Sequence, residues 1–125
     1  MAATQALSDL LAASPHVEAA TVFDRDDKPL GSVGVSLYWA NAAVRAGREL
    51  LADAAEHRGV GEPTQVHASL AGGDVFVVGR QGGPAIVAVT AAGEPAGLLL
   101  HDLKRCLATV LETQALERQA LEAQE

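Results

Sequence analysis

Aromatic side chains are scarce in this chain: one Trp, one Tyr and two Phe make up 3% of its 125 residues. Its core must therefore be assembled from Ala, Val and Leu, which suits close packing of helices on a sheet. Cysteine is rarer still. Cys106 is the one thiol, which excludes an intrachain disulfide and fits a reducing compartment. Basic residues are few, 9 Lys and Arg against 16 Asp and Glu, for a net charge of −7. Phosphate binding needs clustered cations, and the single adjacent basic pair, Lys104-Arg105, stands beside Asp102. Nucleic acid is a poor partner for such a surface. No apolar run approaches the ~18 residues that cross a bilayer, and the start M-A-A-T-Q-A-L-S-D-L-L has no basic leader and no long apolar stretch of a signal peptide. The expectation is a cytoplasmic protein without membrane insertion.

What is present is apolar material for one domain: 49% of the residues are hydrophobic, enough for a single core at this length. Thr4 can cap a short helix whose Leu7, Leu10 and Leu11 share a face, and Pro15 ends it. Val17 to Asp24 and Leu30 to Val35 then read as a β-hairpin, with Thr21, Val22 and Phe23 as strand formers. Asp24 to Pro29 between them is polar and lacks Asn-Gly or Asp-Gly, so the turn is longer than two residues.

From Ser36 to His57 the pattern is helical. Its polar residues Asn41, Arg45, Arg48, Glu49, Asp53 and Glu56 fall on one arc of roughly 140°, leaving Leu37, Ala40, Ala43, Val44, Gly47, Leu50, Leu51 and Ala54 on a broad apolar remainder. A helix lying on one sheet needs a stripe of about 100°. Either the excess marks a second contact, or the alanines are simply good helix formers that tolerate exposure. Gly59, Gly61 and Pro63 break this helix.

Thr64 to Leu70 alternates Val66, Ala68 and Leu70 with Gln65, His67 and Ser69, a strand with one buried face. Ala71-Gly72-Gly73-Asp74 turns into Val75 to Arg80, and Gln81-Gly82-Gly83 turns into Pro84 to Thr90. The run A-I-V-A-V is apolar on both faces, which suits a central strand. Glu94-Pro95 opens a last helix buried through Leu99, Leu103, Cys106, Leu107, Val110 and Leu111. Beyond Glu112 that pattern thins to Leu116, Ala120, Leu121 and Ala123, so residues 112–125 form a polar extension that either frays or docks on another chain. The expected class is α+β, in the order α-β-β-α-β-β-β-α, with a five-stranded antiparallel sheet, a meander whose sequential neighbours pair, and helices on both faces.

Chemistry-bearing patterns are weak. Asp24, Asp26 and Lys28 begin like a calcium loop, but Pro29 stands where its glycine belongs and Val35 where its bidentate Glu belongs. Gly79-Arg80-Gln81-Gly82-Gly83 lacks the Lys-Ser/Thr ending of a phosphate loop. His16, His57, His67 and His101 are scattered, and His101 and Cys106 lie about 140° apart on a helix, too far round to form a nucleophile and base. No catalytic residue, cofactor or metal site is expected. Tyr38 and Trp39 are the functional hint: they either anchor a partner or pack over the sheet end.

The hairpin V-E-A-A-T-V-F-D-R-D-D-K-P-L-G-S-V-G, the strands V-F-V-V-G-R and A-I-V-A-V-T, and the closing A-G-L-L-L-H-D-L-K-R resemble a roadblock (dynein light chain) domain of the bacterial type, over roughly Leu7 to Leu111. Asp26-Asp27 stands where that family often shows Asp-Gly. The resemblance implies a roadblock/profilin-like domain over 1–111, dimers joined through the middle helix and third strand into one ten-stranded sheet, and binding to a Ras-like small GTPase as regulator or scaffold. The residues point to a twofold homodimer independently, because the broad helix face and an edge strand without Lys or Pro are both liabilities for a monomer. Its expected interface is Leu37, Ala40, Val44, Gly47 and Leu51 with Gln65, His67 and Ser69. A small-ligand sensor of profilin-like architecture is the alternative, and it requires a cavity with converging polar groups.

Overall fold

A computed structural model describes residues 2–34, 37–58, 65–70, 73–79, 82–91 and 96–124. The expected helix breaker at Gly59, Gly61 and Pro63, the Ala71-Gly72 and Arg80-Gln81 corners and the Glu94-Pro95 helix start lie outside the described residues. The elements run α1 (Ala2–Ala13), β1 (Val17–Phe23), β2 (Pro29–Val33), α2 (Leu37–Arg58), β3 (Gln65–Leu70), β4 (Gly73–Gly79), β5 (Ala85–Thr90) and α3 (Ala96–Ala123). Their order and type are those expected. Thr4 lies inside α1 and does not cap it, since that helix already begins at Ala2.

The sheet is antiparallel in the order β2-β1-β5-β4-β3. It is not a plain meander: β1 lies against β5, with Thr21 opposite Val87 and Val22 opposite Ile86. Burial explains the arrangement. In β5, Ala85, Ile86, Val87 and Ala88 are buried in succession on both faces, and β1 is buried at Ala19, Ala20, Thr21, Val22 and Phe23. Each of these strands needs a neighbour on both sides and a helix above and below, so they take the middle of the sheet. The half-buried β2 and β3, which is exposed at Gln65, His67 and Ser69, take its edges.

Two cores result. On one face Leu7 and Leu10 of α1 and Leu103, Cys106 and Val110 of α3 pack on Val22, Phe76, Val78 and Ile86. On the other, Ala43, Val44 and Leu51 of α2 pack on Phe23, Val77, Ala85 and Val87. Fully burying one such aliphatic side chain contributes about 1.5–3 kcal/mol. Gly47 lets α2 approach closely, since a Cβ there would already lie 3.4 Å from the Phe23 ring.

One polar side chain fastens the end of this second core. Arg48 of α2 is 11% exposed; its Nε donates to Asp27 Oδ1 at 2.5 Å, and its Nη2 donates to the carbonyls of Asp24 at 2.9 Å and Gly83 at 2.6 Å. Its guanidinium sits 4.9 Å from the centre of the Phe23 ring, within cation–π range. The helix is thereby tied to both turns at that end of the sheet. The Asp24–Lys28 turn is closed from within: Asp24 Oδ1 accepts from the Asp26 and Lys28 amides, and Asp27 adopts a φ of 65°. Asp is one of the few residues that tolerate that left-handed conformation.

Candidate functional site

β3 is an open edge of the sheet, with β4 on one side and no strand on the other. Its register against β4 sets Gln65 opposite Val78, His67 opposite Phe76 and Ser69 opposite Asp74, so these three share the face covered by α1 and α3. All three are exposed, whereas Val66 and Ala68, turned toward α2, are half-buried. Period-two alternation in Thr64 to Leu70 is the signal for this split, and residues 65–69 follow it.

The polar face of β3 has a fixed centre. The His67 ring stacks on Phe76, with centroids 4.2 Å apart and planes 10° from parallel. Its Nε2 lies 3.2 Å from Oδ2 of Asp74, whose side chain is only 4% exposed. Ser69 Oγ is 3.5 Å from the same Nε2. Serine, histidine and aspartate together invite a hydrolase reading, but the geometry opposes it. A working triad sets the hydroxyl on one ring nitrogen and the carboxylate on the other, while here both converge on Nε2. The arrangement can hold an imidazole in place; it cannot relay a proton from the serine.

Asp74 and Phe76 were not singled out from the sequence. Asp74 follows Gly72-Gly73 and reads as part of a turn. The alternation Asp74, Phe76, Val78, three buried residues on one face of β4, was the available signal.

Of the interface residues expected on α2, the three whose side chains are described all face inward. Val44 and Leu51 are buried in the chain's own core, and Gly47 lies against Phe23 and Val87. These three side chains are used within the subunit, which corrects their assignment to a dimer interface. Their breadth has a physical cause: α2 touches all five strands of a twisted sheet and needs a wider apolar arc than a helix on a flat strand pair. The solvent face of α2 is instead Asn41, Ala42, Arg45, Ala46, Glu49 and Asp53. Leu37, Tyr38, Trp39 and Ala40 form the first turn of α2, and their side chains lie outside the described residues.

Other candidate chemistry is absent among the described residues. No three His, Cys, Asp or Glu side chains come together to hold a metal ion, and Asp24 Oδ1 is already occupied by two backbone amides. Cys106 is buried, and burial together with the nearby Asp9 carboxylate pushes its thiol up to about 11. Such a thiol is a core residue and a poor nucleophile. Hollows of about 200 and 330 Å³ beside α1 and α3, and of about 560 Å³ between the Asp24 turn and the second half of α3, all open to solvent. None is the enclosed polar cavity a small-ligand sensor requires. No helix among the described residues is long and apolar enough to cross a membrane.

No protein-family model matches the chain, and no curated protein sequence matches it. Solved structures do. A Roadblock/LC7 domain from Streptomyces avermitilis superimposes with a TM-score of 0.74 at 19% identity, over 86% of this chain and 93% of that one. The chain has the roadblock fold. MglB from Myxococcus xanthus matches with a TM-score of 0.64 at 11% identity, over 91% of this chain and 92% of that one. The fold is also similar to that of LokiProfilin2, solved in complex with rabbit actin, with a TM-score of 0.59 at 15% identity over 86% of this chain and 94% of that one. Within the roadblock fold of this chain, β3 is one of the two sheet edges, and β2 is the other.

Proposed function

We propose that the chain is a non-enzymatic homodimer in the cytoplasm that binds a Ras-like small GTPase and modulates its nucleotide cycle, as regulator or scaffold. The observation that carries the dimer is the open β3 edge, whose exposed row Gln65, His67 and Ser69 includes no lysine or proline to block strand pairing. An unpaired row of backbone donors and acceptors is stabilised by adding a strand, and a second copy supplies one. The contacts proposed are β3 with the solvent face of α2; Val44, Gly47 and Leu51 no longer belong to them. The GTPase is supported by the resemblance of the hairpin, strands and closing helix to the roadblock family and by the fold shared with MglB. Tyr38 and Trp39, paired at the start of α2, are proposed as anchors for that partner.

The test uses a Ras-like GTPase from the same cell, loaded with GDP or with a non-hydrolysable GTP analogue. Titration against the purified chain is expected to give binding that differs between the two states, together with a changed rate of GTP hydrolysis or nucleotide release. Absence of binding in both states would overturn the GTPase reading.

A further inference from the structure

We propose that the hollow between the α1–β1 corner and the start of α3 is a socket for a lysine side chain of a partner protein, its stem against Pro15, Val17, Leu98 and Leu99 and its ammonium on Asp102. This goes beyond the homodimer and GTPase reading and does not depend on it.

The corner is built by local bonds and then pinned to a distant helix. The Ser14 amide donates to the Leu10 carbonyl at 2.8 Å, continuing α1 by one residue, and the Val17 amide donates to the Ser14 carbonyl at 3.0 Å, which closes the turn. Ser14 Oγ donates to Oδ2 of Asp102 at 2.7 Å, 88 residues away in the chain. A hollow of about 330 Å³ is left between corner and helix, walled by Pro15, Val17, Leu98 and Leu99 with Asp102 beside them.

Asp102 is half-buried and used on one side only. Among the described residues Ser14 is its one hydrogen-bond partner, and Arg105, a turn further along α3, forms no ion pair with it. A carboxylate offers about four acceptor sites, and the carbonyl of an asparagine would take the serine hydroxyl as well. Holding the corner therefore needs no charge. An anion set against apolar walls is stabilised most by a cation that covers it with a charge-assisted hydrogen bond.

The free oxygen and the wall select the cation. Because Oδ2 is taken by Ser14, the parallel two-oxygen grip of a guanidinium is closed, whereas an ammonium is a point charge that one oxygen serves. A lysine also lays its methylene stem along apolar surface while its head reaches a polar partner. Leu98 favours a protein segment over a free amine. It is 78% exposed, and although a lone exposed leucine signifies little, this one borders the hollow four residues before Asp102, on the same side of α3. The apolar wall thus continues outward past the space a single side chain fills. Val17 and Leu99 belong to the core under α1 and α3, on the sheet face opposite α2. A partner seated there leaves the start of α2 free for another, as a scaffold requires.

The test titrates the ¹⁵N-labelled full-length chain with the peptide acetyl-Gly-Leu-Lys-Leu-Gly-amide and follows amide shifts by NMR. His16 stands on the rim, so the titration is run at about pH 7.5, where an ordinary imidazole is mostly neutral. Saturable shifts are expected at residues 13–17 and 98–102. Acetylating the peptide's lysine is expected to weaken binding at least about tenfold, and Asp102→Asn, which keeps an acceptor for Ser14, is expected to do the same. Leu98→Ser, at an exposed position, is expected to weaken it about threefold or more. No saturable shift at millimolar peptide, equal affinity for the acetylated peptide, or undiminished binding by Asp102→Asn would overturn the socket. Butylammonium binding as tightly as the peptide would overturn the protein partner in favour of a free amine.

Discussion

Replacing Arg48 by Met keeps most of the stem and removes the charge, the donors and the cation–π partner in one step. The lost interactions are unequal. The contact to Asp27 involves a carboxylate 57% exposed, so it is worth at most about 1 kcal/mol. The two bonds to the Asp24 and Gly83 carbonyls are charge-assisted and shielded by an 11% exposed side chain; each contributes about 1.5–3 kcal/mol net, and they share one nitrogen, so they do not add fully. The guanidinium over Phe23 contributes about 1 kcal/mol. The expected cost of Arg48→Met is about 2–4 kcal/mol, roughly 10 °C in Tm for a domain of this length. Arg45→Met, three residues away and exposed, is the control and is expected to change stability by less than about 0.5 kcal/mol. Urea unfolding followed by circular dichroism measures both. Equal midpoints for the two variants would refute the claim that Arg48 fastens α2 to both turns.

Three further outcomes follow from packing and charge. Gly47→Ala is expected to stay within about 1 kcal/mol of the parent, because the gain in helix propensity offsets the tight 3.4 Å approach to Phe23; Gly47→Leu is expected to cost about 1–3 kcal/mol or more in urea unfolding. His67→Ala removes the donor from a carboxylate only 4% exposed and the ring stacked on Phe76, for a loss of about 2 kcal/mol, detectable as a lowered Tm. Burial, with Asp9 adding to it, raises the Cys106 thiol to about 11, so its thiolate is scarcer in the folded than in the unfolded chain. Reaction with Ellman's reagent at pH 8 should be far slower folded than in urea and should accelerate as pH climbs toward 11, while folding stability declines over that range. Equal reaction rates for the two states would contradict the burial.

Much of the fold could be read from local pattern. The A-I-V-A-V run, apolar on both faces, marks β5 as a central strand, and the alternation in Thr64 to Leu70 separates the residues turned to α2 from those on the polar face. What escaped that reading depends on tertiary placement. Arg48 falls on the polar arc of α2 by angle alone, yet its long side chain folds over the helix flank to reach two turns distant in sequence. Val44, Gly47 and Leu51 look surplus if the sheet is taken as flat, and they are buried because α2 spans five twisted strands. Asp74 is a turn residue by its glycine neighbours and a buried strand residue by its pairing with Thr90. The His67–Asp74 pair, which forms the centre of the polar face, therefore became visible only in the folded chain.

The helical extension is the other departure from a minimal domain. α3 continues to Ala123, at 1.5 Å per residue roughly 40 Å in all, and its second half carries Leu116 and Leu121 at 61% and 65% exposure. Isolated exposed leucines are ordinary on a soluble surface, so the partner-binding account places its weight on β3 and the start of α2.

The central claim is that β3 is an edge completed by a second copy, and the mass of the purified chain in solution tests it most directly. Multi-angle light scattering at micromolar concentration is predicted to give twice the 12.8 kDa of one chain. A steady 12.8 kDa across that range would contradict the account.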